Sequence, residues 1–231
     1  MHNADKAKYL GNYLSSSGGV KDTIEDRRNK GWGKVSQILG ILGEVDMGGH
    51  RMEAGLLLRK AILTNSLLFS AEAWSNVSDK DIKRLEQVNT SLLKSLVKGH
   101  SKTPGVFHHL ESGTLMLRHI LMMNRLMYHH HLLSRGKEET IYKIYCKQKQ
   151  DPLKGDWFSL LLKDFEFIGV ELNESEIQNT PKSEYKIKIK NLVGKAAFEY
   201  MRKERKGLSK LKDIKYECLK IHDYLKSPNF N

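Results

Sequence analysis

From residue 20 onward the apolar positions recur at intervals of three and four, the spacing of one helical face, rather than at the two-residue interval of a half-buried strand. In VKDTIEDRRNKGWGKVSQILGIL, Ile24, Val35, Ile38, Leu39 and Leu42 fall on one side of a helix, with Arg27, Arg28 and Lys34 elsewhere on it. Gly31 and Gly33 weaken its middle by about 1 kcal/mol each relative to alanine. DMGGH then makes a turn. Residues 50–71 form a second helix whose later half is apolar on nearly every side, the pattern of a helix covered by several neighbours. A third starts at Ser78, with Asp81 placed for a weak capping box, and carries Ile82, Leu85, Val88, Leu92 and Leu96 inward until Gly99 stops it.

TPGVFHHLESG, residues 103–113, reads as a short helix between two breakers, and a longer methionine-rich one runs from Leu115 to Ser134. Two more helices follow, Glu139 to Lys149 and Trp157 to Phe167, separated by QDPLKGD. NESEIQNTPKSEY, residues 173–185, is polar, contains Pro181 and is the candidate linker. Beyond it lies a basic tail of two expected helices broken near Gly207.

The start of the chain breaks the helical pattern. AKYLGNYLSSSG, residues 7–18, reads as one β-strand running into a Ser/Gly turn, with no second strand of comparable quality nearby. A strand without a partner leaves its backbone donors and acceptors unmet and its edge open. The expected fold is mainly α, a helical bundle with one short orphan N-terminal strand and a basic helical C-terminal tail. Its expected divisions are strand and turn 1–18, helical body 19–172, linker 173–185 and tail 186–231.

Composition adds a sign to this picture. The 39 Lys and Arg against 27 Asp and Glu give 231 residues a formal charge of +12, which suits a polyanionic partner. Fourteen cations against six anions stand between Lys182 and Lys226, a surplus of eight. There the cations alternate with apolar and aromatic residues, so that they can neutralise phosphates while the aromatics stack on bases or pack inward. No base-reading motif is present, and binding is expected to be sequence-tolerant. The two cysteines, Cys146 and Cys218, form no CxxC pair, which fits a reducing compartment, nuclear or cytoplasmic. The longest apolar-rich stretch, Leu56 to Trp74, carries Arg59, Lys60 and Glu72, so no signal peptide and no membrane span is expected.

Candidate chemistry is sparse. His129, His130 and His131 are consecutive and stand about 100° apart on a helix, and with His108 and His109 they form no HExxH, so they read as packing residues rather than metal ligands. No G-x-S-x-G, no phosphate loop, no cysteine with local base signals and no paired acids in a Gly-framed strand turn occur, and Asp151 and Asp156 flank Pro152 and Gly155 in what reads as a turn. No catalytic residue, cofactor or metal is expected.

The order of motifs resembles the reverse transcriptase polyprotein of non-LTR (LINE-type) retrotransposons, downstream of the polymerase palm. AKYLGNYLSSSG is similar to the segment after the primer-grip hairpin, and IEDRRNKGWGKVSQIL to the first, Arg-bearing thumb helix. LLLRKAILTNSLLFSAEAW resembles the stretch ending in a tyrosine-glycine-x-glutamate-x-tryptophan signature; Glu72 and Trp74 match, and Phe69 and Ser70 replace the tyrosine and glycine. A leucine-glutamate helix, a threonine-proline start, a glutamate-x-glycine turn and an Arg-Leu-x-Tyr stretch at Arg125, Leu126 and Tyr128 follow in the family order. The tail RKERKGLSKLKDIKYECLKIHDYL is similar to the region before the family's Cys/His knuckle and endonuclease.

The resemblance implies a thumb and post-thumb connector that clamps template and primer through backbone phosphates beside a palm in the parent polypeptide. No Asp-Asp pair occurs in the chain, and two-metal phosphoryl transfer needs clustered carboxylates, so no enzyme activity is expected of this chain alone. The candidate nucleic-acid contacts, chosen by charge and position, are Arg27, Arg28, Lys34, Arg51, Arg59 and Lys60 on the first helices. On the tail they are Lys186, Lys188, Lys190, Arg202, Lys203, Arg205 and Lys206. The alternative is a helical protein-interaction module whose N-terminal strand completes a sheet supplied by a separately encoded partner.

Overall fold

The computed structural model describes residues 6–9, 12–15, 19–44, 50–206 and 216–226. The fold is mainly α: α1 Lys21–Glu44, α2 Arg51–Leu58, α3 Asn65–Leu67, α4 Asp79–Leu96, α5 Gly105–Ser112, α6 Leu117–Leu133, α7 Thr140–Gln150, α8 Trp157–Ile168, α9 Glu174–Asn179 and α10 Lys182–Lys206. A π-helical segment, Arg59–Thr64, joins α2 to α3. The chain divides into two compact units, each assembled from three stretches. The first holds residues 1–23, 70–78 and 118–196, and the second holds 24–69, 79–117 and 197–231.

In the first unit the N-terminal segment corrects the orphan-strand expectation. Strands β1 Lys6–Tyr9 and β2 Asn12–Ser15 pair antiparallel with each other, Tyr9 opposite Asn12, across a two-residue connection. The partner lies inside the same dozen residues, Lys6 opposite Ser15 and Lys8 opposite Tyr13. The Thr23 hydroxyl accepts the Tyr13 amide at 2.8 Å and ties the ribbon to the start of α1.

The core of this unit gathers Leu126, Tyr145, Trp157, Leu161, Phe165 and Val193 from α6, α7, α8 and α10. Burial of each large apolar side chain contributes about 1.5–3 kcal/mol. Helix α8 starts where Asp156 accepts the Ser159 amide at 2.6 Å, and it ends at Gly169, whose φ of 67° is the left-handed stop that glycine adopts freely. The turn role expected for Asp156 is therefore an N-cap. The polar stretch 173–185 is no linker. Asn173 caps α9, Pro181 precedes α10, and Ile177 and Tyr185 are buried in the core. Two apolar residues and an N-cap suffice to fold a segment that is polar on average.

The second unit packs α1, α2, α4 and α5 around Ile24, Ile38, Leu42, Leu63, Leu67, Leu85, Leu92 and Leu93, all with no exposed surface. Residues 216–222 are non-helical and lead into a 3₁₀ turn at Asp223–Lys226, so the second tail helix is absent from the described part of the tail. This segment lies against the end of α5: the His222 amide donates to the Glu111 carbonyl at 2.9 Å, and the Tyr216 hydroxyl donates to the Glu111 carboxylate. A Cβ at Gly113, φ 64°, would come within 2.3 Å of the Lys220 carbonyl carbon, so glycine is required there twice over.

Candidate nucleic-acid interface

Within the first unit, α10 turns Tyr185, Ile189 and Val193 inward at four-residue steps, which leaves Lys186, Lys188 and Lys190 on the solvent side with Ile187, 63% exposed, among them. Lys188 reaches back to Glu176 at 2.5 Å, and this exposed pair is worth at most about 1 kcal/mol, weak enough for a phosphate to displace. Within the second unit, Lys203 is exposed and Arg202 is half-buried, paired with Glu199 at 2.9 Å and 5.7 Å from the Phe198 ring centroid. Lys206 closes α10, and its side chain lies outside the described positions.

The first-helix cations divide. Lys60 is exposed, Lys34 is half-buried and donates to Gln37 at 3.1 Å, and Arg28 pairs with Glu25 at 3.1 Å near the surface. Arg51 donates to the Leu42 carbonyl and so closes the end of α1.

Three cations of the candidate set are interior. Arg27 is 6% exposed with its guanidinium 5.2 Å from the Phe69 ring centroid, and Arg205 is 5% exposed and 5.5 Å from that of Tyr216. Arg59, also 5% exposed, donates to Asn89 Oδ1 at 2.7 Å and to the Leu115 carbonyl at 3.1 Å. As folded, these three guanidinium groups stabilise the interior instead of meeting a ligand, because an arginine's long stem and rigid fork can bridge elements from within.

Arg59 belongs to a buried polar network. Asn89 donates to Glu86 at 2.6 Å, His109 Nε2 meets the same carboxylate oxygen at 2.9 Å, and the Leu117 amide donates to the other oxygen at 2.6 Å. His109 Nδ1 lies 3.0 Å from the Thr114 hydroxyl. Burial pushes the Glu86 carboxyl upward, but the neighbouring His109 charge and the three hydrogen bonds with His109, Asn89 and the Leu117 amide outweigh it and hold Glu86 below the usual range. Burial lowers Arg59 to about 10 against the attraction of Glu86, and it remains a cation. The network joins the middle of α4 to the later half of α5 and to Leu117, a structural task for residues of catalytic type.

Against the outer side of α4 opens a cavity of about 480 Å³, lined by Lys83, Thr90, Ser91, Lys94, Thr103 and His108, with Gly105 and Glu86 at its wall. Positions 83, 87, 90 and 94 share one helix face, a polar stripe that helical periodicity makes visible in the sequence once α4 is drawn. No sequence signal marked His108 as its floor.

The histidine run holds the packing role expected for it. His129 Nε2 lies 3.0 Å from the Tyr145 hydroxyl, which donates to Glu174, and His130 Nε2 donates to the Thr180 carbonyl at 2.9 Å while stacking on Tyr185. Among the described residues no group of three or more His, Cys, Asp or Glu is placed to hold a metal ion, and no helix is long and apolar enough to cross a membrane. The chain matches no protein-family model, no curated protein and no solved structure.

Proposed function

We propose that this chain is a non-catalytic helical module that holds nucleic acid by its phosphate backbone, the part played by thumb and connector beside the palm of a LINE-type reverse transcriptase. The observation that carries this reading is the exposure of Lys186, Lys188 and Lys190 on the two flanks of a helix whose Tyr185, Ile189 and Val193 face is locked into a core, within a chain of net charge +12. Each of these cations faces solvent, and Lys188 pairs with the exposed carboxylate of Glu176. A second observation supports the family part of the reading. Ser70 has φ 53° and ψ 21°, the left-handed region that glycine favours, and it stands at the glycine of the signature that Glu72 and Trp74 match. In the strand-docking alternative, a partner strand would add to an outer edge of the two-stranded β1–β2 ribbon.

The test is duplex binding at rising salt. Between about 50 and about 300 mM monovalent salt the affinity falls steeply and linearly on a double-logarithmic plot, and Lys186→Gln/Lys190→Gln lowers the slope by nearly two. Salt-independent binding, or no binding at low salt, overturns the reading.

A further inference from the structure

Within the second unit, the tail segment 216–226 is held to the body by few groups. Glu217, Cys218, Lys220, His222, Asp223 and Lys226 are exposed, and Leu225 is buried where its 3₁₀ turn packs against α2. The rest of the hold is polar: the Tyr216 hydroxyl donates to the Glu111 carboxylate and the His222 amide to the Glu111 carbonyl. Between these ties the segment arches around a cavity of about 170 Å³ lined by its own residues, among them Tyr216, Lys220 and His222. A stretch anchored at separate points around a void opens at less cost than one packed to interior density. Glu111 also weighs against the docked state. It is 2% exposed, and the carboxylate oxygen that Tyr216 does not meet has no hydrogen-bond partner.

The group this segment covers is Arg205. Phe198, Arg202 and Arg205 stand at positions i, i+4 and i+7 of one α10 face. Arg202 reaches solvent, whereas Arg205 is 5% exposed and lies 5.5 Å from the centroid of the Tyr216 ring. Two guanidinium groups on neighbouring turns make a fork-shaped receptor for phosphate oxygens. With Tyr216 in place, only one of the two is presented.

We propose, building on the backbone-binding role assigned above, that residues 216–226 are an autoinhibitory strap: docked, they shut Arg205 behind Tyr216, and displaced, they release Arg205 to join Arg202 on a nucleic-acid phosphate. A ligand shifts an equilibrium only through unequal contacts with its two states, and the open state offers a polyanion one more guanidinium. Binding and strap release are therefore coupled, and the docked form lowers the apparent affinity by the fraction of chains that are open. Gly113 is the seat on which the strap closes, since a glycine there leaves room for the Lys220 backbone.

The experiment measures the affinity of the full chain for a short duplex between about 50 and about 300 mM salt. Alongside it, the exchange rate of the His222 amide reports docking through the bond to Glu111. Tyr216→Ala is expected to tighten binding about tenfold at low salt and to steepen the double-logarithmic slope by nearly one, the mark of one further phosphate contact. Tyr216→Ala/Arg205→Met returns both to the wild-type values. Gly113→Ala, which evicts the Lys220 backbone without touching Tyr216 or Arg205, reproduces the gain. In the wild-type chain, saturating duplex speeds His222 amide exchange several-fold. Equal affinity and slope for wild type and Tyr216→Ala, or a His222 amide whose protection saturating duplex leaves unchanged, overturns the strap while the α10 reading stands. Binding by Tyr216→Ala alone supports the strap, and no binding by either chain overturns both.

Discussion

Ser70 is one of three described non-glycine residues, with Asn76 and Lys98, in the left-handed region, where a side chain costs about 1–2 kcal/mol. Ser70→Gly removes that cost and adds about 0.5–1 kcal/mol of unfolded-state entropy. The variant is therefore expected to gain about 0.5–1 kcal/mol, read from urea denaturation. The opposite case is Arg125, whose guanidinium meets Asp164 at 2.6 Å with both side chains buried. Arg125→Met leaves a buried carboxylate alone and destabilises by about 3–5 kcal/mol, whereas Arg125→Met/Asp164→Leu recovers most of the loss, the same denaturation curves separating the two. The sequence showed Arg125 only as part of a resemblance, and the structure supplies its reason. Arg27, Arg59 and Arg205 were legible as charge but not as interior groups, because their partners Phe69, Asn89 and Tyr216 stand 42, 30 and 11 positions away in the chain, and no local pattern encodes a contact at such distances.

Among the elements, helices with a clean three-and-four spacing were readable nearly to the residue, as α1, α4, α5, α7 and α8 are. The stretch after Arg51 was readable as a helix but not as the helix it is. Gly55, Arg59, Leu63 and Leu67 are buried at successive four-residue steps, and in an α-helix of 3.6 residues per turn that row drifts around the axis. The wider π-helical turn at Arg59–Thr64 absorbs the drift and returns the row to one face. An α-only periodicity reads the same row as apolar on every side. Phe69, 52% exposed in the later half, shows that it is not. Glycines on these helices separate by what stands in front of them. A Cβ at Gly55 would lie 2.4 Å and 2.9 Å from the two methyls of Leu96, while Gly33 faces open space. Gly55→Ala is expected to lose about 1–3 kcal/mol and Gly33→Ala to gain about 1 kcal/mol, as opposite shifts of Tm in thermal melts. The pairing of β1 with β2 is hard to read from residues 7–18, because apolar and aromatic positions continue from Ala7 to Leu14 in the pattern of one strand.

For the whole molecule, acid is expected to weaken the fold before its carboxylates are exhausted. Burial lowers His108 to about 4, with His109 and Lys94 adding to the effect, and burial lowers His129 to about 4 against the attraction of Glu174. Each histidine stays neutral in the fold while the unfolded chain takes up protons below about pH 6.5, so stability is fully present above that value and declines toward pH 4. Asp164 works the other way. Its carboxyl is pushed up to about 6 by burial despite Arg125, and it favours the folded state as pH falls below 6. Two groups lose and one gains, so the net midpoint in urea is expected to fall between pH 6.5 and 4, and His129→Phe flattens that decline. One histidine sits in each unit, and the interleaving of those units has a practical consequence for anyone dissecting the chain. A stop codon at the polar stretch after Leu172 looks like a neat excision, yet it strips Ile177, Tyr185, Ile189 and Val193 from one core and Met201 from the other. Shortened clones will emerge as insoluble products, and useful dissection of this chain will come from point changes in an intact polypeptide.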